Sequence, residues 1–298
     1  MTENIIFPID FDLDLYRRYS DLASLSNDNL INHFNLHGCN EGRISNKIKN
    51  RNDLVQCIPS NSKKIKCLEI GPFDCPVLVG ESVKYFDVLN KYDLIKRAIT
   101  INRTHALKNI PNIDYVDENG NLKIITEKFD LVLSCHSIEH QTDFIQHLKD
   151  VYELLNENGY YVIILPDKRY CFDHFINEST IADIINSHTI KQMNHSIKSV
   201  IEHRALMCHN DASRHWNNDS GLQTIDTCEN SLINAINEYN DAINNKKYID
   251  VHSLQFTPSS FKKIINLLNA TKYIDFKVER IYPTIRDSFE FFVILKKQ

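Results

Sequence analysis

The chain has 298 residues, of which 42% are hydrophobic, 24% charged and 10% aromatic, enough for one large domain with a small appendage. Its formal net charge of −5 argues against a polyanionic partner held by bulk charge, so no nucleic acid is expected. No apolar run approaches the ~18 residues of a membrane span.

The acidic opening MTENIIFPIDFDLD lacks the basic-then-apolar order of a signal peptide, and a cytoplasmic location is expected. The eight cysteines form no CxxC pair and read as reduced thiols.

Residues 1–45 predict a small helical module. Leu15, Tyr16, Tyr19 and Leu22 suit one short helix, and Leu30, Ile31 and Phe34 a second, with Leu36 off its stripe. Gly38 is expected to end that helix as a left-handed cap. Tyr16, Tyr19, Leu22 and Phe34 would form the module's own core, and a unit of this size should pack on the main domain or on a partner. Residues 46–63 are polar and basic, contain Pro59, and read as linker.

From residue 64 to the C-terminus the pattern is α/β. Strands are expected at 64–71, 83–88, 113–116, 129–135 and 159–166, with helices near 73–80, 90–98 and 142–157. Thr142 is the expected N-cap of the third helix and Gly159 its stop. Such alternation predicts a Rossmann-like, doubly wound parallel sheet with helices on both faces. The pattern breaks over 167–256 and resumes with a helix capped by Thr257 and opened by Pro258. Strand-like runs at 276–282 and 289–297 close the chain. The insertion at 167–256 falls beside the carboxyl ends of the strands, where open α/β sheets bind ligands, and is a candidate lid or acceptor pocket.

The first strand runs into Glu69, Gly71 and Pro72, and the second ends at Asp87. Glycine there lets backbone approach a ligand, and a carboxylate after the second strand can accept both ribose hydroxyls. With no GxGxxG and no P-loop lysine, a nucleoside ligand without phosphates fits better than a dinucleotide or triphosphate.

The stretches LEIGP (68–72), Asp87, Asp117, FDLVLSCHSIEH (129–140) and LLNENGYYVIILPDKRY (154–170) resemble the class I S-adenosylmethionine-dependent methyltransferases. The resemblance covers roughly residues 64–298 and implies a seven-stranded sheet with an antiparallel last strand and S-adenosylmethionine as cofactor. By position, Glu69, Gly71 and Pro72 would lie by the methionine moiety, Asp87 at the ribose, Asp117 near the adenine, and Ser134 and His136 near the transferable methyl. The family's acidic-x-Gly-x-Gly-x-Gly keeps only its first glycine here, and the crevice stays open only if Pro72 and Phe73 turn away from it.

The run LPDKRYCFDHF (165–175), with RHW (214–216) and DVHSLQFTPSSF (250–261), resembles a methyltransferase subgroup of polysaccharide and nucleotide-sugar biosynthesis. YSDL and HGCNEGR in the N-terminal module resemble short helical units on glycan-building proteins, through which a homo-oligomer or a glycan-assembly partner could bind. The implied acceptor is a sugar hydroxyl on a nucleotide-sugar or a glycan. Methylation of another small-molecule hydroxyl or amine, or a non-catalytic scaffold in glycan assembly, are the alternatives.

A sugar hydroxyl is barely acidic, so a general base is expected, and histidine suits neutral pH. Seven of the 13 histidines lie between Pro166 and Thr257. His215 has Trp216 beside it to stack on a sugar face, and His252 lies two residues from Asp250, on one side of an extended chain. His174 and His136 complete the candidates. Asp167, Lys168, Arg169, Tyr170 and Asp173 would line the acceptor site, with Lys168 or Arg169 on a diphosphate; alternatively these cations pair with Asp167 or Asp173 and order the lid. His136 and His140 stand at helical i, i+4 spacing, but no third ligand is apparent in the sequence and no metal is expected.

Overall fold

The computed structural model describes residues 5–60, 64–222, 229–245 and 247–298. Its seven strands, in chain order, are β1 (Cys67–Ile70), β2 (Val83–Asp87), β3 (Tyr115–Val116), β4 (Phe129–Cys135), β5 (Leu155–Pro166), β6 (Phe276–Tyr282) and β7 (Glu290–Lys297). They form one sheet in the order β3-β2-β1-β4-β5-β7-β6. The first five are parallel, and β7 runs antiparallel to both β5 and β6. The expected doubly wound sheet with an antiparallel last strand is the observed one.

The N-terminal module has two helices, α1 (Leu13–Tyr16) and α2 (Asn27–His33), the latter running into one π-helical turn, Phe34–Gly38. Tyr16, Leu22 and Leu30 are buried in a cluster that also takes Phe11, Tyr19 and Phe34. Leu36 is exposed. Gly38 is not the left-handed cap expected: the positive-φ glycine here is Gly42, at 65°. Gly38 instead makes room for a ring, since a Cβ there would lie 1.8 Å from Tyr16 Oη. Gly42 faces the main domain. Its carbonyl accepts the Arg286 N–H at 3.0 Å, and a Cβ would sit 2.7 Å from the Trp216 ring.

Residues 46–60, expected as linker, are part of the core. Helix α3 (Arg51–Val55) carries Leu54, which is buried with Ile48 and Ile58 against Leu131, Leu133, Ile164 and Ile294. The apolar positions are few and unevenly spaced, which is why the segment reads as linker. On the opposite face, α5 (Phe144–Leu154) and α10 (Pro258–Ala270) cover Val132, Ile163 and Val293. Between α3 and α5 comes α4 (Lys91–Thr100), packed through Leu94 and Ala98.

The helix expected at 73–80 does not form. Pro72, Pro76 and Gly80 break the run, and the Val77 and Leu78 amides donate to the buried Glu69 carboxylate rather than to helical carbonyls. Helix α5 is capped by Asp143, not Thr142, because the Asp143 carboxylate accepts the Gln146 amide at 2.9 Å. It ends at Leu154, since Leu155 already pairs with Phe129 and extends β5; Gly159 lies within that strand. Thr257 caps α10 with Pro258 in its first turn, as expected.

The insertion folds as α6 (Ile181–Thr189), α7 (Ile197–Leu206), α8 (Ala212–Trp216) and α9 (Glu229–Asn245). Its two ends meet at the carboxyl end of β5, where Asp167 bridges Phe256. The seven cysteines among the described residues are free thiols; Cys228 lies outside those residues. Among the described residues no helix is long and apolar enough to cross a membrane.

Candidate active site

In this strand order the winding reverses between β1 and β4, and the crevice outside their carboxyl ends is where such a sheet receives a ligand. Gly71 stands there with φ +70°, and a Cβ added to it would meet Ser137 Oγ first, at 3.5 Å. Two buried carboxylates shape the loop that follows. Glu69, 1% exposed, accepts the amides of Val77 and Leu78 at 2.8 Å, and burial pushes its pKa up to about 7 despite those bonds. Asp87, at the end of β2, is likewise raised by burial, with the Leu89, Phe73 and Val88 amides pulling the other way. Glu69 therefore holds the loop that follows Gly71 in place.

Phe73 turns towards α4, where it packs with Leu94 and Ala98 beneath Arg97 and Arg103, and Pro72 is buried. Asp117 follows β3 and accepts the Asn119 and Asn121 amides, both at 3.0 Å, forming a tight turn. Ser134 is a correction. Its hydroxyl lies 2.8 Å from Tyr161 Oη, which in turn meets His147 Nε2 at 2.8 Å, so it points under the sheet towards α5.

His136 leaves β4 in a left-handed conformation, φ 48°. Its Nε2 donates to Glu290 Oε1 at 2.6 Å, and its Nδ1 lies 3.4 Å from Glu139. Burial alone would lower its pKa, but the two carboxylates outweigh that and raise it to about 9. Glu290 also accepts Arg51 Nε at 2.9 Å, which ties α3, β7 and the loop after β4 into one ion-paired row. A histidine held protonated in this way is a positive anchor, not a base.

On the side of the insertion the structure brings together groups far apart in the chain. The Glu139 carbonyl accepts the Ser253 and Leu254 amides at 2.8 and 3.1 Å, which sets the segment carrying His252 against the loop after β4. His252 Nδ1 donates to Asp173 Oδ2 at 2.6 Å, and both residues are buried. Burial lowers the His252 pKa, and the Asp173 charge more than offsets it. The expected pairing of His252 with Asp250 does not occur: Asp250 meets Arg97 at 2.6 Å and His140 at 3.4 Å. Glu139 itself is 1% exposed; burial raises its pKa, and His136, His252 and His140 together pull it down to about 2. His140 packs edge-on to the His252 ring, centroids 4.7 Å apart. Glu139, His140 and His252 offer ligand atoms within 4.8 Å of one another. His252 is the third group that local spacing does not reveal.

The other acceptor-side candidates are committed elsewhere. Asp167, fully buried, accepts Arg169 Nε at 3.0 Å and Nη2 at 2.7 Å and also Thr284 Oγ1 at 2.7 Å. Lys168 Nζ donates to the His174 carbonyl at 2.8 Å. These cations order the base of the insertion, the alternative to diphosphate binding. Tyr170 and Trp216 stack on each other at 3.7 Å, and the indole N–H donates to the Ser288 carbonyl, so neither ring face between them is open to a sugar. His215, 4% exposed, has Nδ1 on Ser220 Oγ at 2.8 Å and Nε2 on the His209 carbonyl at 3.0 Å. With both nitrogens occupied it is not placed to act as a base. His174 Nδ1 donates to the Arg169 carbonyl at 2.7 Å and stacks on His215.

Residues 78–163 match a family model described as a methyltransferase domain. No curated protein matches the chain. Among solved structures, a SAM-dependent methyltransferase from Aquifex aeolicus is similar at 11% identity and TM-score 0.39, over 85% of this chain and 92% of that one. An S-adenosylmethionine-dependent methyltransferase from Clostridium acetobutylicum is similar at 13% and 0.40, over 91% and 98%. Magnesium protoporphyrin IX methyltransferase from Synechocystis, with bound SAH, is similar at 10% and 0.38, over 83% and 80%. The fold assignment stands on the strand order itself. That order is the one of the class I S-adenosylmethionine-dependent methyltransferase fold, and within it residues 78–163, from β2 into β5, match the methyltransferase-domain model.

Proposed function

We propose that this chain transfers the methyl group of S-adenosylmethionine to a hydroxyl of a sugar acceptor. The observation that supports the reading is that the loop after β4 touches both sides: Ser137 lies beside the Gly71 turn, and the Glu139 carbonyl holds the Ser253 and Leu254 amides next to the Asp173-bound His252. On the sheet side, Gly71 admits backbone close to the sulfonium end, Asp87 takes the ribose hydroxyls, and Asp117 stands at the adenine end. His136 and Ser137 line the floor between them.

The cofactor already carries a good leaving group, so the protein's work is to hold the acceptor oxygen at ~3–3.5 Å along the S–CH₃ axis and to help its proton leave. The buried group around His252 supports that second task. Its Nδ1–H is fixed by Asp173, so the lone pair is on Nε2 (a tautomer assigned from the hydrogen bond). Arg169 is engaged by Asp167, which favours a free sugar or glycan end over an acceptor gripped by a nucleotide diphosphate.

Calorimetry with S-adenosylmethionine and S-adenosylhomocysteine tests the cofactor half, and mass detection of a methyl gain across nucleotide-sugars, free sugars and oligosaccharides tests the acceptor. Binding of both nucleosides, methyl gain on a sugar, and strong loss of turnover but not of binding in His252→Ala are expected. Absence of heat at high cofactor concentration would overturn the reading and favour a scaffold. Binding with methyl gain only on non-sugar hydroxyls or amines would overturn the acceptor.

A further inference from the structure

We propose that Glu139, His140 and His252 form a binding site for one divalent first-row transition-metal cation on the lid side of the crevice. Neither carboxylate oxygen of Glu139 has a hydrogen-bond partner, although the residue is 1% exposed. A buried carboxylate with both oxygens left in that state is unfavourable unless a cation satisfies it. The histidine nitrogens around it are close but not bonded: His136 Nδ1 is 3.4 Å and His252 Nε2 3.9 Å from Oε1. With metal–ligand bonds of ~2.0–2.2 Å, two ligand atoms on a common ion lie roughly 3–4 Å apart. The Glu139–His252 separation is therefore that of co-ligands, too long for a hydrogen bond.

Both imidazoles are prepared for this role. His252 donates Nδ1–H to Asp173 at 2.6 Å, and His140 donates Nδ1–H to the Val251 carbonyl at 3.1 Å. Each bond leaves the lone pair on Nε2, the arrangement by which carboxylates and carbonyls orient metal-bound histidines. The frame is stiff, because the Glu139 carbonyl holds the Ser253 and Leu254 amides. A second group, Cys135, His136 and Glu290, is equally compact, but there both Glu290 oxygens accept hydrogen bonds from Arg51 or His136, so no unpartnered carboxylate oxygen awaits a cation.

Two imidazoles and one carboxylate select manganese, iron, cobalt or zinc over calcium, whose sites are built from oxygen. Three protein ligands leave coordination positions open. This deepens the proposed methyl transfer and rests on it for its use: neighbouring sugar hydroxyls would fill those positions, which orients them and makes the coordinated one more acidic, so that with the ion bound His252 Nε2 loosens the proton as a metal ligand and not as a free base.

The test uses the full chain stripped with EDTA and titrated with cobalt(II), read by visible absorbance and competed by zinc(II). One equivalent should saturate the wild type. Glu139→Gln and His252→Ala should weaken binding at least ~100-fold, and Asp173→Asn ~10–100-fold, while the exposed His105→Ala leaves it unchanged. X-ray absorption of the zinc-loaded wild type should show imidazole scattering without sulfur, and stands even if a variant fails to fold. No cobalt spectrum in the wild type, affinity indifferent to Glu139→Gln and His252→Ala, or sulfur in the zinc shell would overturn the site. Calorimetry with S-adenosylmethionine on the same stripped protein separates the two readings: cofactor heat without cobalt binding sinks the metal site alone, and the converse sinks the methyl transfer alone.

Discussion

Acidification must eventually charge His147, and the surroundings of that ring resist it. The side chain is 7% exposed, with Tyr161 Oη 2.8 Å from Nε2, and burial lowers its pKa from 6.5 to about 4. The folded-state value lies below the unfolded one, so the contribution to stability is intact above pH 6.5 and is lost as the pH falls through about 4. At ~1.4 kcal/mol per decade of proton concentration, that interval is worth about 3 kcal/mol. His147→Gln keeps a partner for the Tyr161 hydroxyl and cannot titrate. Urea unfolding followed by far-UV circular dichroism at pH 7, 5.5 and 4.2 should therefore give a stability curve flatter in the variant by about 3 kcal/mol over the range. His195 and His203, also lowered to about 4 by burial, act on both proteins alike and cancel in the comparison. Curves that stay parallel within about 0.5 kcal/mol would refute the assignment of a dry, neutral imidazole beneath β4 and β5.

Three further substitutions probe the crevice and its supports. Gly71→Ala fits sterically but forces a left-handed conformation at φ +70°, so a cost of ~1–2 kcal/mol should appear as an S-adenosylmethionine affinity about tenfold weaker by calorimetry. Unchanged affinity would separate this turn from cofactor binding. Glu290→Gln, measured with EDTA present, should lower the His136 pKa from about 9 by NMR titration. Because that raised value lends stability below pH 6.5 that is lost as the pH rises through about 9, the variant should also show a shallower alkaline decline. Arg169→Ala leaves the buried Asp167 carboxylate short of its cation and should cost about 3–5 kcal/mol in unfolding, with the acceptor KM unmoved; a raised KM in a stable variant would restore Arg169 to the acceptor site.

Local pattern makes the sheet readable. FDLVLSC is apolar through Leu131, Val132 and Leu133 because both faces of β4 are covered there, and its bounds match. Period-two alternation also places Ser134 on the face of Val132, towards α5, a constraint that overrides its position at the end of the strand. The helix expected at 73–80 fails because its competitor is not local: a carboxylate eight and nine residues upstream takes the amides that helix would use. The site is legible only in its outline. His252 and Asp173 are 79 residues apart, His136 and Glu290 154, and Arg51 and Glu290 239, distances over which spacing carries no signal. Glu139 lies within the motif after β4, yet its importance comes from lacking a partner, which only packing reveals.

Trp216 is the chain's single tryptophan, and it sits where Gly42, Tyr170 and the Ser288 carbonyl converge. The protein thus has a built-in fluorophore at the seam joining its appended helices, its insertion and its final hairpin. Emission there reports directly on whether the three remain seated together, so a seating defect can be told apart from a chemical one without any added label.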